Sequence, residues 1–516
     1  MATFSRPGVF IQEVQLPQTI ALADNGTAAG AFICSLPKGP VAAPVLLTNW
    51  SDFVTTFGGL QDAYPATWAA YSFFANGGRQ LYIKRVVSSA ATSATITLND
   101  ASSGSAPTIS VTAANPGSWG NGLSVLVSTT GSTTRFGLTV YGSPTLSGAS
   151  TSNILEQFND LSMSSTDPRY FVKVIAAQAT YITAADLHST STSPTNLPLA
   201  GATLYALTGG SDGTTLTTTD YSTAITAFDT IQNPLIIHNP DAAYNSSSNT
   251  ANTLSAGVVQ YASTRTDCFA IVDVQNAYTA ASSAQDAFTA IKSVFAASST
   301  GSNAAGYWPW VAIPDALSSV QGAVRYQAPG PIMVGQFLAT DASRGVFKTP
   351  AGLANKVALA VDTAHRFTNA ELDAINTSVT PVNAIRYVPG AGIVVMGGRT
   401  MDNTPGNRYI NVKRSLIYIE KELTLRSQYA IFENNDERLW SSLRTALGNF
   451  LRGYWQQGGL KGANIEDAYF VKCDTTTTSA SDIQNGRVNI QIGVALQNPA
   501  EFIVINISQL TGSATA

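Results

Sequence analysis

The run I-R-Y-V-P-G-A-G-I-V-V-M-G-G-R-T, residues 385–400, contains two short apolar segments. Pro389 and Gly390 separate them, which predicts two strands joined by a turn. The run Y-I-N-V-K-R-S-L-I-Y-I-E-K-E-L, residues 409–423, is longer and charged, which predicts a helix. A hairpin followed by a helix therefore opens the last quarter of the chain.

A second helix is predicted to begin at Asn435-Asp436-Glu437, where a capping residue is followed by two acids in the positive first turn. At about 100° per residue, its apolar side chains fall on one side. They are Leu439, Trp440, Leu443, Ala446, Leu447, Phe450, Leu451 and Tyr454. Polar residues and three arginines, Arg438, Arg444 and Arg452, fall on the other side, and Gly458-Gly459 ends the helix.

Two strands are predicted near the end of the chain. Strict alternation predicts that the first is half-buried, with apolar residues Val488, Ile490, Ile492, Val494 and Leu496. Asn498-Pro499 breaks it. The second, residues 501–507 (E-F-I-V-I-N-I), is apolar on both faces and so needs partners on both sides.

Charge is concentrated in the same region. Residues 385–474 hold 12 of the 28 Lys/Arg and 9 of the 32 Asp/Glu, a net charge of +3, whereas the rest of the chain carries −7. Charged residues make up only 12% of the whole chain, about half the usual share. A surface so poor in charge suits a subunit that is covered by its neighbours, although a Thr/Ser-rich β protein would have a similar composition.

Several motifs of this region match one known family together. G-x-G-I-V-V-x-G-G-R-T, R-Y-I-N-V-K-R-S-L-I-Y-I-E, F-E-N-N-D-E-R-L-W, V-K-C-D and N-P-A-E-F-I-V-I resemble, in order and spacing over about 125 residues, the carboxy-terminal domain of contractile phage tail sheath proteins. The resemblance implies a conserved sheath domain at residues 383–497 that faces the tail tube. It also implies a carboxy-terminal arm at residues 498–516.

The amino terminus, residues 1–22, is predicted to be an arm. P-G-V-F-I-Q-E-V forms a short strand with no obvious hairpin partner, so it either pairs within its own domain or adds to the sheet of another subunit. Resemblance to the sheath amino-terminal arm favours the second alternative. The predicted inter-subunit residues at the two ends are Val9, Phe10, Ile11, Glu13, Val14, Phe502, Ile503, Val504, Ile505 and Ile507.

The pattern of residues 23–87 is mixed α/β, and by resemblance this segment packs with the carboxy-terminal domain. Residues 88–206 are rich in Ser, Thr and Gly, with short alternating runs at 94–98, 108–112, 123–127, 136–141 and 170–175. These runs predict an inserted, outward-facing β-sandwich or barrel. Helix and strand alternate over residues 207–382, with 332–337 predicted as a strand, which indicates a parallel doubly wound sheet. By resemblance this middle domain is subtilisin-like and non-catalytic. The expected fold class is therefore α+β and α/β multidomain.

Catalytic, metal and cofactor sites are not predicted. Gly209-Gly210-Ser211-Asp212-Gly213 satisfies G-x-S-x-G, but the Thr-rich sequence after it does not favour the helix that a nucleophile elbow requires. Three histidines occur, and His238 beside Asp241 is the one conceivable His/Asp pair, while Asp273 is an isolated strand-end acid. The three cysteines are far apart, which indicates neither a disulfide framework nor a zinc site.

Composition also excludes some classes of binding partner. A net charge of −4 without a basic tract argues against nucleic acid, and no apolar run is long enough to insert in a membrane. The start of the chain has no secretory signal pattern. The exposed face with Arg438, Arg444 and Arg452 is either a solvated helix face or, by the resemblance, the face that meets the tail tube.

The resemblance implies a structural protein without enzymatic activity. It is expected to polymerise helically around a tail tube and to contract, driving the tube through the host envelope. Implied partners are further copies of the chain, the tail tube protein, and baseplate and tail terminator proteins; the implied location is the virion tail, assembled in the bacterial host cytoplasm. Two alternatives remain: a serine hydrolase built on the middle domain, and a non-contractile capsid or adhesin-like protein.

Overall fold

The computed structural model describes residues 28–103, 105–143, 145, 153–295 and 301–501. The strands are β1 Ala29–Ser35, β2 Val45–Leu47, β3 Leu81–Val86, β4 Thr95–Asn99, β5 Pro107–Ala113, β6 Ser124–Thr129, β7 Arg135–Tyr141, β8 Ile154–Ser162, β9 Ile182–Asp186, β10 Leu204–Ala206, β11 Leu235–His238, β12 Cys268–Val272, β13 Ala304–Trp308, β14 Val311–Pro314, β15 Val324–Gln327, β16 Asp362–Thr363, β17 Asn383–Val388, β18 Gly392–Met396, β19 Tyr469–Lys472 and β20 Gln491–Val494. The helices are α1 Trp50–Phe57, α2 Pro65–Ala75, α3 Phe171–Gln178, α4 Thr218–Ala224, α5 Ser248–Arg265, α6 Ala281–Ser293, α7 Gly330–Arg344, α8 Asn369–Thr377, α9 Ile410–Ser427, α10 Glu437–Gln456, α11 Ile465–Ala468 and α12 Ala480–Gln484.

An eight-stranded sheet organises the chain, with the order β18-β17-β13-β12-β11-β1-β3-β2. Its six inner strands are parallel, and the outer strands β2 and β18 each run antiparallel to their neighbour. The inner strands are short apolar runs buried along most of their length, as is typical of a parallel sheet covered on both faces. The predicted parallel arrangement is therefore present.

Two apolar cores cover the two faces of this sheet. One contains buried residues of α5, α6 and α8, and the other contains buried residues of α1, α2, α7 and α9. Because helices lie on both faces, the sheet is doubly wound. The carboxyl ends of parallel strands lie along the same edge of the sheet. Polar residues that follow different strands are therefore close together there, although they are distant in the sequence.

The described part of residues 23–87, which we predicted to pack with the carboxy-terminal domain, contributes β1, β2 and β3 to the large sheet. β1 pairs with β11 on one side and with β3 on the other, and β2 pairs with β3, so these three strands form one end of the sheet. The hairpin β17–β18, which we predicted to open the carboxy-terminal domain, also joins this sheet through β13. Buried apolar strands gain most when both edges are paired, which favours one large sheet.

The predicted inserted β unit consists of two antiparallel sheets, β4-β5-β9 and β10-β6-β7-β8. Both sheets contribute to one apolar core. The run 170–175, however, lies mostly in the helix α3, where Phe171, Val174 and Ile175 are buried together. Residues three and four apart meet on a helix, and the helix-forming Ala-Ala-Gln that follows supports it. Our strand prediction there was wrong.

The strand predicted at residues 332–337 is also wrong, because these residues lie in α7. The helix is buried along its first half, and a continuous apolar run shows no period that separates helix from strand. The signal that could have decided it is Gly330-Pro331, since proline is favoured in the first turn of a helix.

Candidate functional site

The helix α10 forms as the sequence predicts, with one change at its start. Asp436 is the N-cap, and its Oδ1 accepts a hydrogen bond of 2.9 Å from the backbone N–H of Leu439. Asn435 has another role, because its Oδ1 accepts from Nε1 of the Trp440 indole at 2.8 Å and its Nδ2 donates to the Arg487 carbonyl at 2.9 Å. The helix start is thus fastened to the segment before β20.

The apolar side of α10 is buried against α9 and against residues of the last predicted strand. Leu451 and Tyr454 pack in a cluster with Ile419 of α9, and Tyr454 also donates a hydrogen bond of 2.9 Å to Ser415. The alternating residues Val488, Ile490, Ile492, Val494 and Leu496 all contact the two clusters beside α10. The regular strand is shorter than predicted, but the alternating apolar side chains face the helix as expected.

The three arginines predicted to face the tube have different surroundings. Arg438 and Arg452 are exposed, and lie only about 40° apart around the helix axis. Arg444 lies nearer the border of the buried face, where it pairs with Glu437 Oε1 at 2.8 Å and donates to the Cys473 carbonyl. The bond to Glu437 raises the pKa of Arg444 above its usual value. Two of the three positive charges are therefore without an ion pair among the described residues.

The strands β19 and β20 form a two-stranded antiparallel sheet on α10, paired from Tyr469 with Val494 to Lys472 with Gln491. Among the described residues, no third strand pairs with the outer edge of β19, and half of the Phe470 surface is exposed (52%). An unpaired strand edge presents backbone N–H and C=O groups to another chain. The arm residues predicted to use such an edge, Val9 to Val14 and Phe502 to Ile507, lie outside the described residues.

The described chain ends at an ion pair that sequence reasoning missed. Glu501 accepts two hydrogen bonds from the Arg399 guanidinium, from Nε at 3.0 Å and from Nη2 at 2.5 Å. The side chains of Arg399 and Glu501 are 7% and 17% exposed. The carboxylate raises the pKa of Arg399 above its usual value. Their separation of 102 residues left no local signal in the sequence.

A buried His/Asp pair occurs, but with a different acid from the one predicted. His238, at the end of β11, lies with its Nε2 3.5 Å from Oδ2 of Asp273, which follows the neighbouring strand β12. Asp241 instead accepts hydrogen bonds of 2.6 Å from the Ser35 N–H and the Tyr221 hydroxyl. Adjacent parallel strands end at the same edge, and this rule could have pointed to Asp273.

Burial dominates the electrostatics of this pair. It lowers the pKa of His238 to about 4 and raises that of Asp273 to about 8. Nδ1 of His238 lies 2.9 Å from the Ile271 carbonyl, and since a carbonyl only accepts, Nδ1 carries the proton. Asp273 Oδ2 accepts from the N–H of Gly330 at the start of α7 at 2.8 Å. Both groups thus tie strands and a helix together at the sheet edge.

Ser211 does not lie in a nucleophile elbow. It is paired with Thr92 where the inserted unit meets the large sheet, and its hydroxyl accepts from the Gly213 N–H at 3.1 Å. Gly209 and Gly213 have positive φ angles of 81° and 77°, as expected of a glycine-rich turn. The described residues contain no group of three or more His, Cys, Asp or Glu side chains placed to hold a metal ion. Nor do they contain a helix with the length and apolar character to span a bilayer.

The structure is similar to solved structures of sheath proteins, among them contractile ones. The anti-feeding prophage helical sheath in its contracted state is 19% identical, with a TM-score of 0.57 over 98% of this chain and 100% of that chain. The PVC sheath complex of an extracellular contractile injection system, also contracted, is 19% identical, with a TM-score of 0.56 over 99% of both chains. A sheath tail protein from Listeria innocua is 13% identical, with a TM-score of 0.63 over 91% and 95% of the two chains. The chain therefore has the fold of contractile sheath proteins.

Sequence comparison identifies a known family domain near the end of the chain. Residues 402–509 match the family model of the phage tail sheath C-terminal domain. The tail sheath protein of Enterobacteria phage T4 is 26% identical over 181 residues, which is 34% of this chain and about a quarter (26%) of the T4 protein. The resemblance to phage tail sheath proteins predicted from the sequence motifs is thus confirmed.

Proposed function

We propose that this chain is the structural subunit of a contractile tail sheath. The observation that carries the proposal is the phage tail sheath C-terminal domain at residues 402–509, within a chain whose fold follows contractile sheath proteins along 98–99% of its length. Copies assemble helically around a tail tube, as part of a virion or phage-like particle. They contract by moving as rigid bodies into a closer packing, and the tube advances through the host envelope.

A helical polymer requires contacts between different surfaces of neighbouring copies, because a self-complementary contact closes into a dimer. The terminal arms supply such contacts. In this proposal Val9 to Val14 and Phe502 to Ile507 add strands to the sheet β19–β20 of neighbouring copies. Its support is the unpaired outer edge of β19 and the half-exposed Phe470 on that strand. Added strands bind through backbone hydrogen bonds and stay attached while subunits rotate.

The tube contact is assigned to the exposed face of α10. Arg438 and Arg452 supply its charge, and Arg444 contributes less because Glu437 already pairs with it. Exposed ion pairs are individually weak, typically about 0–1 kcal/mol. Many such contacts along a tube hold it in place and still separate when the sheath contracts. Baseplate and tail terminator proteins then contact the two ends of the polymer, and assembly occurs in the bacterial host cytoplasm.

The proposal includes finer features of the fold and its parts. The doubly wound sheet is assigned as a subtilisin-like domain without catalytic activity, and the two-sheet insertion as a β-sandwich that faces outward. The non-catalytic assignment is supported by the contacts of Ser211, which pairs with Thr92 and Gly213, whereas His238 and Asp273 lie at the ends of the adjacent strands β11 and β12. A hydrolase would need an oriented Ser, His and Asp in hydrogen-bond contact.

Electron microscopy of the purified chain tests the function directly. Negative staining, with and without purified tail tubes, is expected to show hollow helical polymers whose lumen matches the tube. Short rings or unassembled subunits under all assembly conditions would contradict a sheath function. A serine-directed fluorophosphonate label, applied to the same sample, is expected not to attach; stoichiometric labelling would favour the hydrolase alternative.

Deletion of residues 1–20 tests the amino-terminal arm. We expect a folded, soluble subunit that no longer polymerises, because the deletion removes the strand given to a neighbour and leaves the eight-stranded sheet intact. Circular dichroism and thermal unfolding check the fold, and sedimentation checks polymerisation. Removal of residues 510–516, which lie beyond the predicted second arm strand, is the matched control. Normal polymerisation of the 1–20 deletion would overturn the assignment of this arm.

A further inference from the structure

The end of the chain has an unusual charge pattern. From Val488 to Ala516 the sequence contains one charged side chain, Glu501. A lone charge in such a segment would ordinarily stay in solvent, where it improves solubility. Here the side chain is only 17% exposed and its carboxylate pairs with Arg399. The charge therefore serves a specific contact within the subunit.

Arg399 holds this carboxylate with both sides of its planar guanidinium occupied. Nε and Nη2 donate to the two carboxylate oxygens of Glu501, the fork-to-fork geometry that lysine cannot reproduce. Nη1 donates to the Asn376 carbonyl at 2.6 Å, near the end of α8, and lies 3.4 Å from Oδ1 of Asn403. The Nη1 side of the guanidinium is thus held by Asn376 and Asn403 independently of Glu501.

The backbone of Arg399 is itself fastened to the eight-stranded sheet. Its N–H donates to Oδ1 of Asn383 at 2.8 Å, and Nδ2 of Asn383 donates to the Arg399 carbonyl at 2.7 Å and to the Gly306 carbonyl of β13 at 3.0 Å. Asn383 is 1% exposed. A Cβ on Gly397 would lie 2.6 Å from the Cα of Asn383, so only glycine permits this approach. A continuous set of short contacts joins Glu501 to the core.

The last hydrogen-bonded residue before Glu501 is Gln497. The Gln497 carbonyl accepts from Nδ2 of Asn411 at 2.9 Å, and the Gln497 side chain donates to the carbonyls of Gly458 and Leu460, both at 3.2 Å. No hydrogen bond of residues 498–500 is found within the described part of the chain. Without the ion pair, the last hydrogen-bonded residue in the described part of the chain would therefore move back four residues, from Glu501 to Gln497.

We propose that the Arg399–Glu501 ion pair anchors the carboxy-terminal arm: it fixes where residues 502 onward leave the subunit and transfers tension on the arm to the eight-stranded sheet. The arm then reaches a neighbour in one direction, and a pull on it during contraction acts on the sheet and not on the two-stranded sheet β19–β20. The pair consists of positioning residues, and the inference rests on the proposed sheath function for its purpose.

The direction of the arm can be measured on the isolated full-length subunit. Spin labels are placed at Ile505→Cys in the arm and Asn449→Cys on α10; the natural cysteines Cys34, Cys268 and Cys473 are all buried, which shields them from the labelling reagent. Double electron–electron resonance then gives the distance distribution. Glu501→Ala is expected to widen it at least about twofold, because the freed chain pivots at a more distant point.

Two further variants separate anchoring from general effects of charge or folding. Glu466→Ala removes an exposed acid of α11 and is the matched control, expected to leave the distribution unchanged. Arg399→Lys keeps the charge and loses the fork, and is expected to widen the distribution as Glu501→Ala does. An unchanged distribution in both Glu501→Ala and Arg399→Lys, with the fold verified by circular dichroism, would overturn the anchor.

Polymerisation supplies the second measurement. In Glu501→Ala the subunit concentration for half-maximal sheath assembly is expected to rise about tenfold or more, while Glu466→Ala assembles as the natural sequence does. Equal assembly of both variants would overturn the role of the pair in delivering the arm. If the natural sequence forms no sheath while Glu501→Ala still widens the distance distribution, the proposed function fails and the anchor itself stands.

Discussion

Asp273 and His238 make the stability of the large sheet depend on pH. The pKa of Asp273 is raised by burial to about 8, so the folded state holds a proton that the unfolded state releases above about 4. Stability from this group is therefore complete at low pH and lost as pH rises toward 8. The pKa of His238 is lowered to about 4, so its contribution is lost as pH falls below about 6.5. Between about pH 4 and 6.5 the two trends oppose one another.

From pH 6.5 to 8 only the Asp273 trend remains. We expect the free energy of unfolding to fall by about 2 kcal/mol over this interval in the natural sequence, and this fall to be absent in Asp273→Asn. Urea unfolding at several pH values between 6.5 and 8 measures the slope. Asp286→Asn, an exposed acid of α6, is the matched control. Identical slopes for the natural sequence and Asp273→Asn would show that Asp273 is ionised throughout.

The three arginines of α10 differ in whether their charge is available to bind a tube. Arg438 and Arg452 are exposed without an ion pair among the described residues, whereas Arg444 is held by Glu437. We expect Arg438→Glu with Arg452→Glu to abolish co-assembly on purified tubes, with a smaller loss for Arg444→Glu alone, because Arg444 is already compensated. Co-sedimentation at low salt measures binding.

The same charge change elsewhere is the control for that experiment. Arg79→Glu with Arg344→Glu alters the net charge equally at exposed positions outside α10 and is expected to bind tubes as the natural sequence does. Unimpaired tube binding by the α10 pair, or equal loss in both pairs, would count against a tube contact through this helix face.

At the scale of elements, α10 depends on a well-defined start. The Asp436 carboxylate satisfies the Leu439 N–H and lies at the positive end of the helix dipole. We expect Asp436→Ala to destabilise α10 and the sheet β19–β20 that packs on it by about 1 kcal/mol. Hydrogen exchange of α10 amides, followed by mass spectrometry, detects this loss. Asp467→Ala in the short helix α11 is a suitable comparison, since that side chain is exposed. Unchanged exchange in α10 would contradict the capping role.

The helix α9, against which α10 and the sheet β19–β20 pack, attaches these elements to the eight-stranded sheet. Arg414 of α9 forms a buried bidentate ion pair with Asp341 of α7, and its guanidinium lies 4.9 Å from the centre of the Phe337 ring. Further along α9, Lys421 pairs with Asp267 at 3.0 Å. Buried charges are retained only when they are well paired. These contacts fix α9 on one face of the eight-stranded sheet.

At the scale of the whole molecule, the two chain segments that enter and leave the inserted unit lie side by side, so the unit can be deleted without separating them. Thr92 and Ser211 exchange backbone hydrogen bonds of 2.9 and 3.0 Å at its two ends. Such a pair can be closed by a two-residue Asn-Gly turn. We expect a chain in which Asn-Gly replaces residues 93–210 to fold, because the large sheet and the insertion have separate cores.

Thermal unfolding and electron microscopy check that expectation. The shortened chain is expected to unfold cooperatively and to polymerise, because we propose that the insertion faces outward, away from the tube. The matched control is the intact chain with Asn-Gly inserted at residue 131, in the exposed turn between β6 and β7. Loss of folding in the shortened chain alone would show that the insertion contributes to the core, for example through the Arg85 hydrogen bond to the Pro116 carbonyl.

The sequence by itself determined the elements whose side chains alternate or repeat in a regular way. The amphipathic side of α10, the hairpin at Pro389 and the parallel strands β11 and β12 followed from apolar patterning, and the motifs indicated a sheath-like chain. Patterning failed at residues 170–175 and 332–337, where a short, wholly apolar run fits a helix as well as a strand.

Only the tertiary structure decided which distant residues meet. It joined β1 of the segment 29–86 to β11 in the large sheet, paired His238 with Asp273 in preference to Asp241, and brought Glu501 to Arg399 across 102 positions. The physical reason is that local patterns record which face of an element is buried, whereas strand order and ion pairing depend on how the cores close around all elements at once.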